Sequence, residues 1–316
     1  MKTFRKIAFT LLIIFIVLSA GGYVYFDKKF TPPPNTLIVS GISENIPVKW
    51  VADGDNLYSA LLLPVRLKGI SQVFYMQLDT GSPTTVFYTN SLQSIHEKIS
   101  PKSNLKNIFS SFKLNKMEVS SSGFQLINHG DSADTENPEA VNIIGTIGND
   151  LLEKRIIILN FKDHTCSFTD RIDEKGFSGF EFKKRKILLP AKIGNEKLKL
   201  MFDSGTSGYE LITNKESWDQ YRLSNSHIKS EKGNSWGNTL SIKSSAAHQK
   251  IEMGSSILKL SEVTYIEGTS KMQNFLMKSS GMKGMLGNKI FINHILILDC
   301  KREKFMIKES EVKHSK

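Results

Sequence analysis

The sequence predicts an all-β protein of two similar lobes, preceded by one N-terminal transmembrane helix. Three observations predict it. Most apolar residues fall in short runs rich in β-branched and aromatic side chains and bounded by turn residues. Two stretches, MQLDTGSPTTVFYTN ending at Asn90 and LMFDSGTSGYELITN ending at Asn214, are near copies of each other. The first 30 residues differ in composition from all that follow.

At the N-terminus, Lys2, Arg5 and Lys6 precede a run over 7–26 of 20 residues without a charge. Such a run is long enough to span a bilayer. The basic flank keeps this end in the cytoplasm and places everything after Asp27 on the far side; Lys28 and Lys29 weaken that bias without reversing it. Tyr23, Tyr25 and Phe26 prolong the span with side chains suited to a membrane interface, which favours an uncleaved anchor over 1–30. The alternative is a cleavable signal peptide, for which Ser19, Ala20 and Gly21 are small enough. Residues 31–36, TPPPNT, form a short stiff spacer. No Asn-x-Ser/Thr sequon occurs, which favours a bacterial source and hence a body in the periplasm or on the outer face of the inner membrane.

The first lobe occupies 37–179, with strands expected over 61–67, 73–78, 143–147 and 156–161 and helical turns at 91–99 and 150–154. The second lobe occupies 180–312, with strands over 188–193, 198–202, 264–266 and 295–298 and a helical turn at 217–223. The boundary falls in the Gly- and charge-bearing stretch 174–186. Leu62-Leu63-Pro64 stands ahead of Asp79 much as Leu188-Leu189-Pro190 stands ahead of Asp203, and Thr89-Asn90 and Thr213-Asn214 follow the two aspartates at equal distance. GTIGNDLLEKRIIILNF from Gly145 then matches GMLGNKIFINHILILDC from Gly284 in its glycines, its Gly-Asn pair and its final apolar run. Ordered matches of this kind mark an internal duplication.

Composition excludes several classes. With 40% hydrophobic and 23% charged residues in 316, the chain has enough apolar material for folded cores. The formal charge of +11 comes from scattered lysines without a basic helix interleaved with aromatics, so nucleic acid is not expected as a partner, and the charge is read as a solvated basic surface near anionic lipid. Cys166 and Cys300 lack C-x-x-C spacing, and the seven histidines form no H-E-x-x-H, so no metal site is expected. Gly281, Gly284 and Gly287 lack the Gly-Lys-Ser/Thr ending of a phosphate loop, and no cofactor is expected. Trp50, Trp218 and Trp236 are assigned to packing at lobe edges.

The chemistry lies in the repeated Asp-hydroxyl-Gly-hydroxyl. An aspartate just past a buried strand is costly unless hydrogen-bonded. Gly81 and Gly205 let the backbone turn and bring N–H groups to the carboxylate, and Ser82 and Thr206 have hydroxyls to donate. One such match arises by chance in roughly one chain in fifty of this size. Two copies in equivalent places of a repeat are far rarer.

On DTGS, DSGTS and the apolar-Gly elements Thr146-Ile147-Gly148 and Met285-Leu286-Gly287, the chain resembles the pepsin-like and retropepsin-like aspartic proteases over about 61–307. The resemblance implies a two-lobe pepsin-like fold in which Asp79 and Asp203 meet around a water as the catalytic pair of an endopeptidase. It implies that Thr80 and Ser204 bond across the interface to the opposite loop and that Ser82 and Thr206 orient the outer carboxylate oxygens. A polypeptide is then the substrate, and a monomer suffices because one chain carries both aspartates. Two departures stand out: the first lobe is compact, with 69 positions from Asp79 to Gly148, and no Tyr or Trp between Thr89 and Gly208 supplies the family's flap tyrosine. A flap is expected instead over 117–128, with Gly123 at its tip and Phe124 as its apolar contact. A catalytically silent pepsin-fold protein that binds peptide in the cleft is the alternative.

The topology carries its own test. Protease added to intact spheroplasts is expected to digest the body, and a body that stays protected would reverse the orientation.

Overall fold

Strand formation follows the alternation of apolar side chains: in Val73–Leu78, Phe74, Met76 and Leu78 are buried while the residues between them are half-buried. The computed structural model describes residues 27–99, 109–173, 175–235, 238–268 and 281–309. The chain divides into two units, Met1–Asn35 and Thr36–Lys316. The expected membrane span at 7–26 and Trp236 lie outside the described residues; among those described, no helix is long and apolar enough to cross a membrane. Among the described residues, all strands belong to the second unit.

In chain order the first half contributes β1 (Leu37–Ser40), β2 (Ser43–Pro47), β3 (Lys49–Asp53), β4 (Asn56–Leu67), β5 (Val73–Leu78), β6 (Val86–Tyr88), helix α1 (Thr89–Ile99), β7 (Ser111–Leu114), β8 (Met117–Ser121), β9 (Gln125–Ile127), β10 (Ile143–Ile147), β11 (Ile156–Asn160) and β12 (Thr165–Thr169). The second half contributes β13 (Ser178–Gly179), β14 (Glu181–Lys183), β15 (Lys186–Ile193), β16 (Glu196–Phe202), β17 (Leu211–Thr213), helix α2 (Lys215–Tyr221), β18 (Ile228–Ser235), β19 (Asn238–Met253), β20 (Ser256–Glu267), β21 (Gly284–Leu286), β22 (His294–Asp299) and β23 (Lys304–Glu309).

The duplication is visible in the pairing. In the first half β5 lies parallel to β10, β10 antiparallel to β6, and β6 parallel to β9. In the second half β16 lies parallel to β21, β21 antiparallel to β17, and β17 parallel to β20. Each half thus has its own large sheet. A third, six-stranded sheet of order β13-β23-β22-β11-β12-β2 draws three strands from each half and joins them where Ile158 faces Ile297.

The repeated Leu-Leu-Pro acquires its reason here. Proline cannot donate to a ladder, so it needs an unpaired edge. Pro64 pairs with β5 on one side; on the other, β3 reaches Leu62 and β7 begins at Arg66. Pro190 pairs with β16; on its other side β14 reaches Leu188 and β19 begins at Lys192. Both prolines occupy the same gap between two flanking strands.

One continuous set of buried residues runs through both halves. At its centre the Phe161 ring stacks 6.1 Å from Phe291, which meets Phe202 edge-on at 5.6 Å, so rings from both halves pack together. Trp50 packs against Tyr58 and Phe161, and buried Trp218 donates Nε1–H to the Val263 carbonyl at 3.0 Å. Cys166 and Cys300 are buried free thiols.

The structure departs from expectation at 150–154, which is a run of turns rather than a helix, with Leu151, Leu152 and Arg155 each donating to the carbonyl three residues back. The Asp150 carboxylate competes with the helix by accepting from Leu151 N and from Thr85, and Lys154 adopts a positive φ of 61°. The long strands β18, β19 and β20 also exceed the short run expected at 264–266. Polar residues fill much of them, so apolar alternation did not announce them.

Because the halves share a sheet and a ring cluster, they are expected to unfold together. Phe291→Ala should destabilise the fold by about 3–5 kcal/mol. Urea titration followed by circular dichroism and tryptophan fluorescence checks both points: coincident transitions are expected, and two separated ones would show independent lobes.

Candidate active site

Each aspartate stands where an apolar strand ends. Asp79 follows β5 and its N–H bonds Ile147 O at 3.0 Å; Asp203 follows β16 and its N–H bonds Leu286 O at 2.9 Å. The same tight turn follows each, closed by Ser82 N to Asp79 O and Thr206 N to Asp203 O, both 3.1 Å.

The two loops interlock. Thr80 N donates to Ser204 Oγ at 2.9 Å and Ser204 N to Thr80 Oγ1 at 2.8 Å. The hydroxyls pass the bonds on, Thr80 Oγ1 to Phe202 O at 3.0 Å and Ser204 Oγ to Leu78 O at 2.8 Å. Four bonds therefore cross between lobes within two buried residues, and they set the loops in register.

The carboxyl groups of Asp79 and Asp203 lie near enough to influence each other's ionisation. Asp79 Oδ1 also accepts Gly81 N at 2.8 Å and Ser82 N at 3.1 Å, and Asp203 Oδ1 accepts Gly205 N at 2.9 Å. The glycines have a role beyond turning the chain. Neither has a positive φ. A Cβ on Gly81 would lie 2.6 Å from Asp203 Oδ1, and one on Gly205 would lie 2.5 Å from Asp79 Oδ1. Each glycine makes room for the carboxylate of the opposite lobe.

The Ser82 and Thr206 hydroxyls do not orient the carboxylates. Ser82 Oγ donates to Thr84 O and Thr206 Oγ1 to Asp203 O, both at 2.9 Å. Backbone N–H groups serve the carboxylates instead, leaving the hydroxyls to satisfy carbonyls of the turn. Nor is 117–128 a free hairpin. β8 is paired on both sides, to β1 and β7, and the Phe124 ring packs 5.0 Å from Phe87 and 5.8 Å from Phe112. Gly123 is exposed but adjoins this packed segment.

Burial raises the Asp79 pKa against the opposing effect of its N–H donors and its bond to Asp203. Burial, and then the negative charge of Asp79, push Asp203 up to about 7. Two carboxyl groups this close share a proton, and these steps belong to the pair. Backbone N–H groups lower both acids, whereas the Asp79 charge further raises Asp203, which favours Asp79 as the member that ionises first.

Several supporting residues escape the sequence pattern. Buried Arg185, in the β14–β15 turn at a φ of 57°, donates Nη1 to Pro83 O at 3.1 Å and pairs Nε with Glu153 at 2.9 Å. A second-lobe side chain thereby braces the Asp79 loop. Asp150 grips Thr85 by its N–H at 2.8 Å and its hydroxyl at 2.6 Å; burial raises its pKa. Nothing but a charged run, Lys183 to Lys186, signals Arg185 in the sequence. Lys229 of β18 lies 3.7 Å from Asp55 of the β3–β4 turn, an exposed ion pair between second lobe and first. A cavity of about 860 Å³ between Pro64, Ile70 and Phe112 includes neither aspartate, so it is the paired acids, not cavity volume, that mark the site.

A carboxyl pKa raised on folding favours the protonated form of the native state. Its contribution is fully present below the unfolded value near 3.8 and is lost as pH rises to about 7. The chain is therefore expected to gain stability from this pair as pH falls from 7 towards 4, and Asp203→Asn should flatten that part of a melting-temperature profile. Gly81→Ala and Gly205→Ala should each destabilise by about 1–3 kcal/mol through overpacking, read by urea titration.

No family model matches the chain, and no curated protein matches it. Among solved structures it is similar to an aspartic proteinase from Irpex lacteus at 8% identity, with a TM-score of 0.48, over 87% of this chain and 99% of that one.

Proposed function

We propose that the protein is an aspartic endopeptidase that hydrolyses peptide bonds with a water activated between Asp79 and Asp203. The observation that carries this reading is the pair of matching Asp loops, one from each lobe, locked together by the reciprocal Thr80–Ser204 bonds so that the two carboxyl groups influence each other's ionisation. Unequal environments assign the roles. Asp79, the anion, takes a proton from the water as it attacks the peptide carbonyl, while protonated Asp203 donates a hydrogen bond to the oxygen on which charge develops. The tetrahedral adduct then collapses as a proton passes to the leaving nitrogen, which restores the shared proton on the pair. No covalent bond to the enzyme forms, and the two carboxyl groups supply both acid and base.

The substrate on this reading is a polypeptide lying between the lobes. The chain acts as a monomer, held to the membrane by 7–26 with its body outside the cytoplasm, as the basic flank and apolar run suggest.

Asp79→Asn and Asp203→Asn should each lower peptide hydrolysis by on the order of 10⁴-fold, with the double variant scarcely worse, because residues acting as one unit are not additive. A digest of an unfolded protein mixture, read by mass spectrometry across acidic to neutral pH, provides the measurement. Activity should fall as pH rises through about 7, where the pair loses its shared proton. A folded wild-type chain that binds a statine-type mimic yet cleaves nothing at any pH would instead be the silent peptide binder.

A further inference from the structure

The Gly-Asn pair recurs at Gly148-Asn149 and Gly287-Asn288 without a part in the acid–base scheme. Both asparagines are 0% exposed. Asn149 Nδ2 donates to Thr80 O at 2.5 Å and to Arg185 O at 2.7 Å. Asn288 Nδ2 donates to Ser204 O at 3.4 Å and to Ser207 Oγ at 2.9 Å. Thr80 and Ser204 are the residues directly after the two aspartates.

We propose that Asn149 and Asn288 are positioning residues, each suspending the carbonyl that follows its lobe's aspartate from the apolar-Gly-Asn turn and so fixing where the two carboxyl groups meet. The inference rests on the aspartyl-pair reading and deepens it. Thr80 and Ser204 spend their N–H and hydroxyl groups across the interface, which leaves only their carbonyls to be satisfied. The asparagines satisfy those carbonyls, so every backbone and side-chain polar group of the interlock has a partner.

The residue type follows from the geometry. One planar NH₂ supplies two donors, and both asparagines use both. The Oδ1 atoms are buried and accept no hydrogen bond among the described residues. A flipped amide would therefore turn an oxygen onto the Thr80 and Arg185 carbonyls, which repel it, and the donor orientation is set. Serine would give one donor. Aspartate would give none when ionised and would add a charge beside the pair.

The two anchors are unequal. Asn149 bridges the Asp79 loop to Arg185 of the second lobe, whereas Asn288 ties the Asp203 loop within its own lobe. Loss of Asn149 should loosen the register between lobes, and loss of Asn288 only the local turn.

The test uses the full-length chain carrying carboxyl-¹³C aspartate, with Asn149→Leu and Asn288→Leu, which keep size and remove the donors. The upper titration step of the pair should fall by about one pH unit or more in Asn149→Leu and by less in Asn288→Leu, as the carboxyl groups separate. Where the wild type cleaves peptide, kcat should fall about tenfold to hundredfold, as for a small misplacement, with KM nearly unchanged. A lowered melting temperature with an unmoved titration would overturn the proposal, because the asparagines would then be structural only. If a leucine variant does not fold, exchange of the Asn149 and Asn288 side-chain amide protons decides in the wild type: protection supports the anchors, and exchange as fast as in an exposed asparagine overturns them. Titration needs no turnover, so a wild type that titrates as a pair yet cuts nothing would defeat the hydrolase reading and leave the positioning role standing.

Discussion

Placing two carboxyl groups in contact where protein replaces much of their water is unfavourable twice over, by desolvation and by like charge, and the surrounding structure is arranged to meet both penalties. On the proposed reading, a shared proton removes one charge. Backbone N–H groups of Gly81, Ser82 and Gly205 stabilise the other. The pair can meet only because the opposite loop offers a glycine on each side, so that a single Cβ on either would hold the acids apart. The loop interlock then holds a geometry that electrostatics alone would pull open. The six-stranded shared sheet and the Phe161–Phe291–Phe202 rings supply the apolar burial that keeps the lobes together.

Duplication produced two loops of one design, but the design does not make them equivalent. The Asp79 loop is braced from the other lobe by Arg185 and, through the Arg185 carbonyl, by Asn149. The Asp203 loop meets the first lobe differently, at Gly208, where Asn56 at the start of β4 packs against it. On the proposed reading, identical chemistry in unlike surroundings makes one acid the proton acceptor and the other the proton donor. That division is what a water-activating pair requires.

Most of the secondary structure that carries the site was legible because it rests on local rules. The strands that end at Asp79 and Asp203 are apolar runs, and the helix α2 begins at Asn214, whose Oδ1 caps Ser217 N at 2.9 Å. The repeated Leu-Leu-Pro was readable as a repeat, though its reason was not: that proline falls in a gap between flanking strands is a fact about four chain segments, none adjacent to all the others in sequence. Likewise 150–154 has helix-forming residues, and a carboxylate that finds Thr85, 65 positions earlier, converts it to turns.

The sequence by itself determined the candidate acids, the duplication and the strand-rich class, because each is written in residue identity and short-range order. Tertiary structure decided which groups serve those acids. The Ser82 and Thr206 hydroxyls face carbonyls, the glycines answer to the opposite carboxylate, and Phe124 packs half-buried against Phe87 and Phe112. Arg185 and Asn149 become partners of the Asp79 loop only once two lobes are docked. The physical reason is that hydrogen-bond partners and excluded volume depend on which surfaces meet, and residues more than 100 positions apart meet here through burial, which no local pattern encodes.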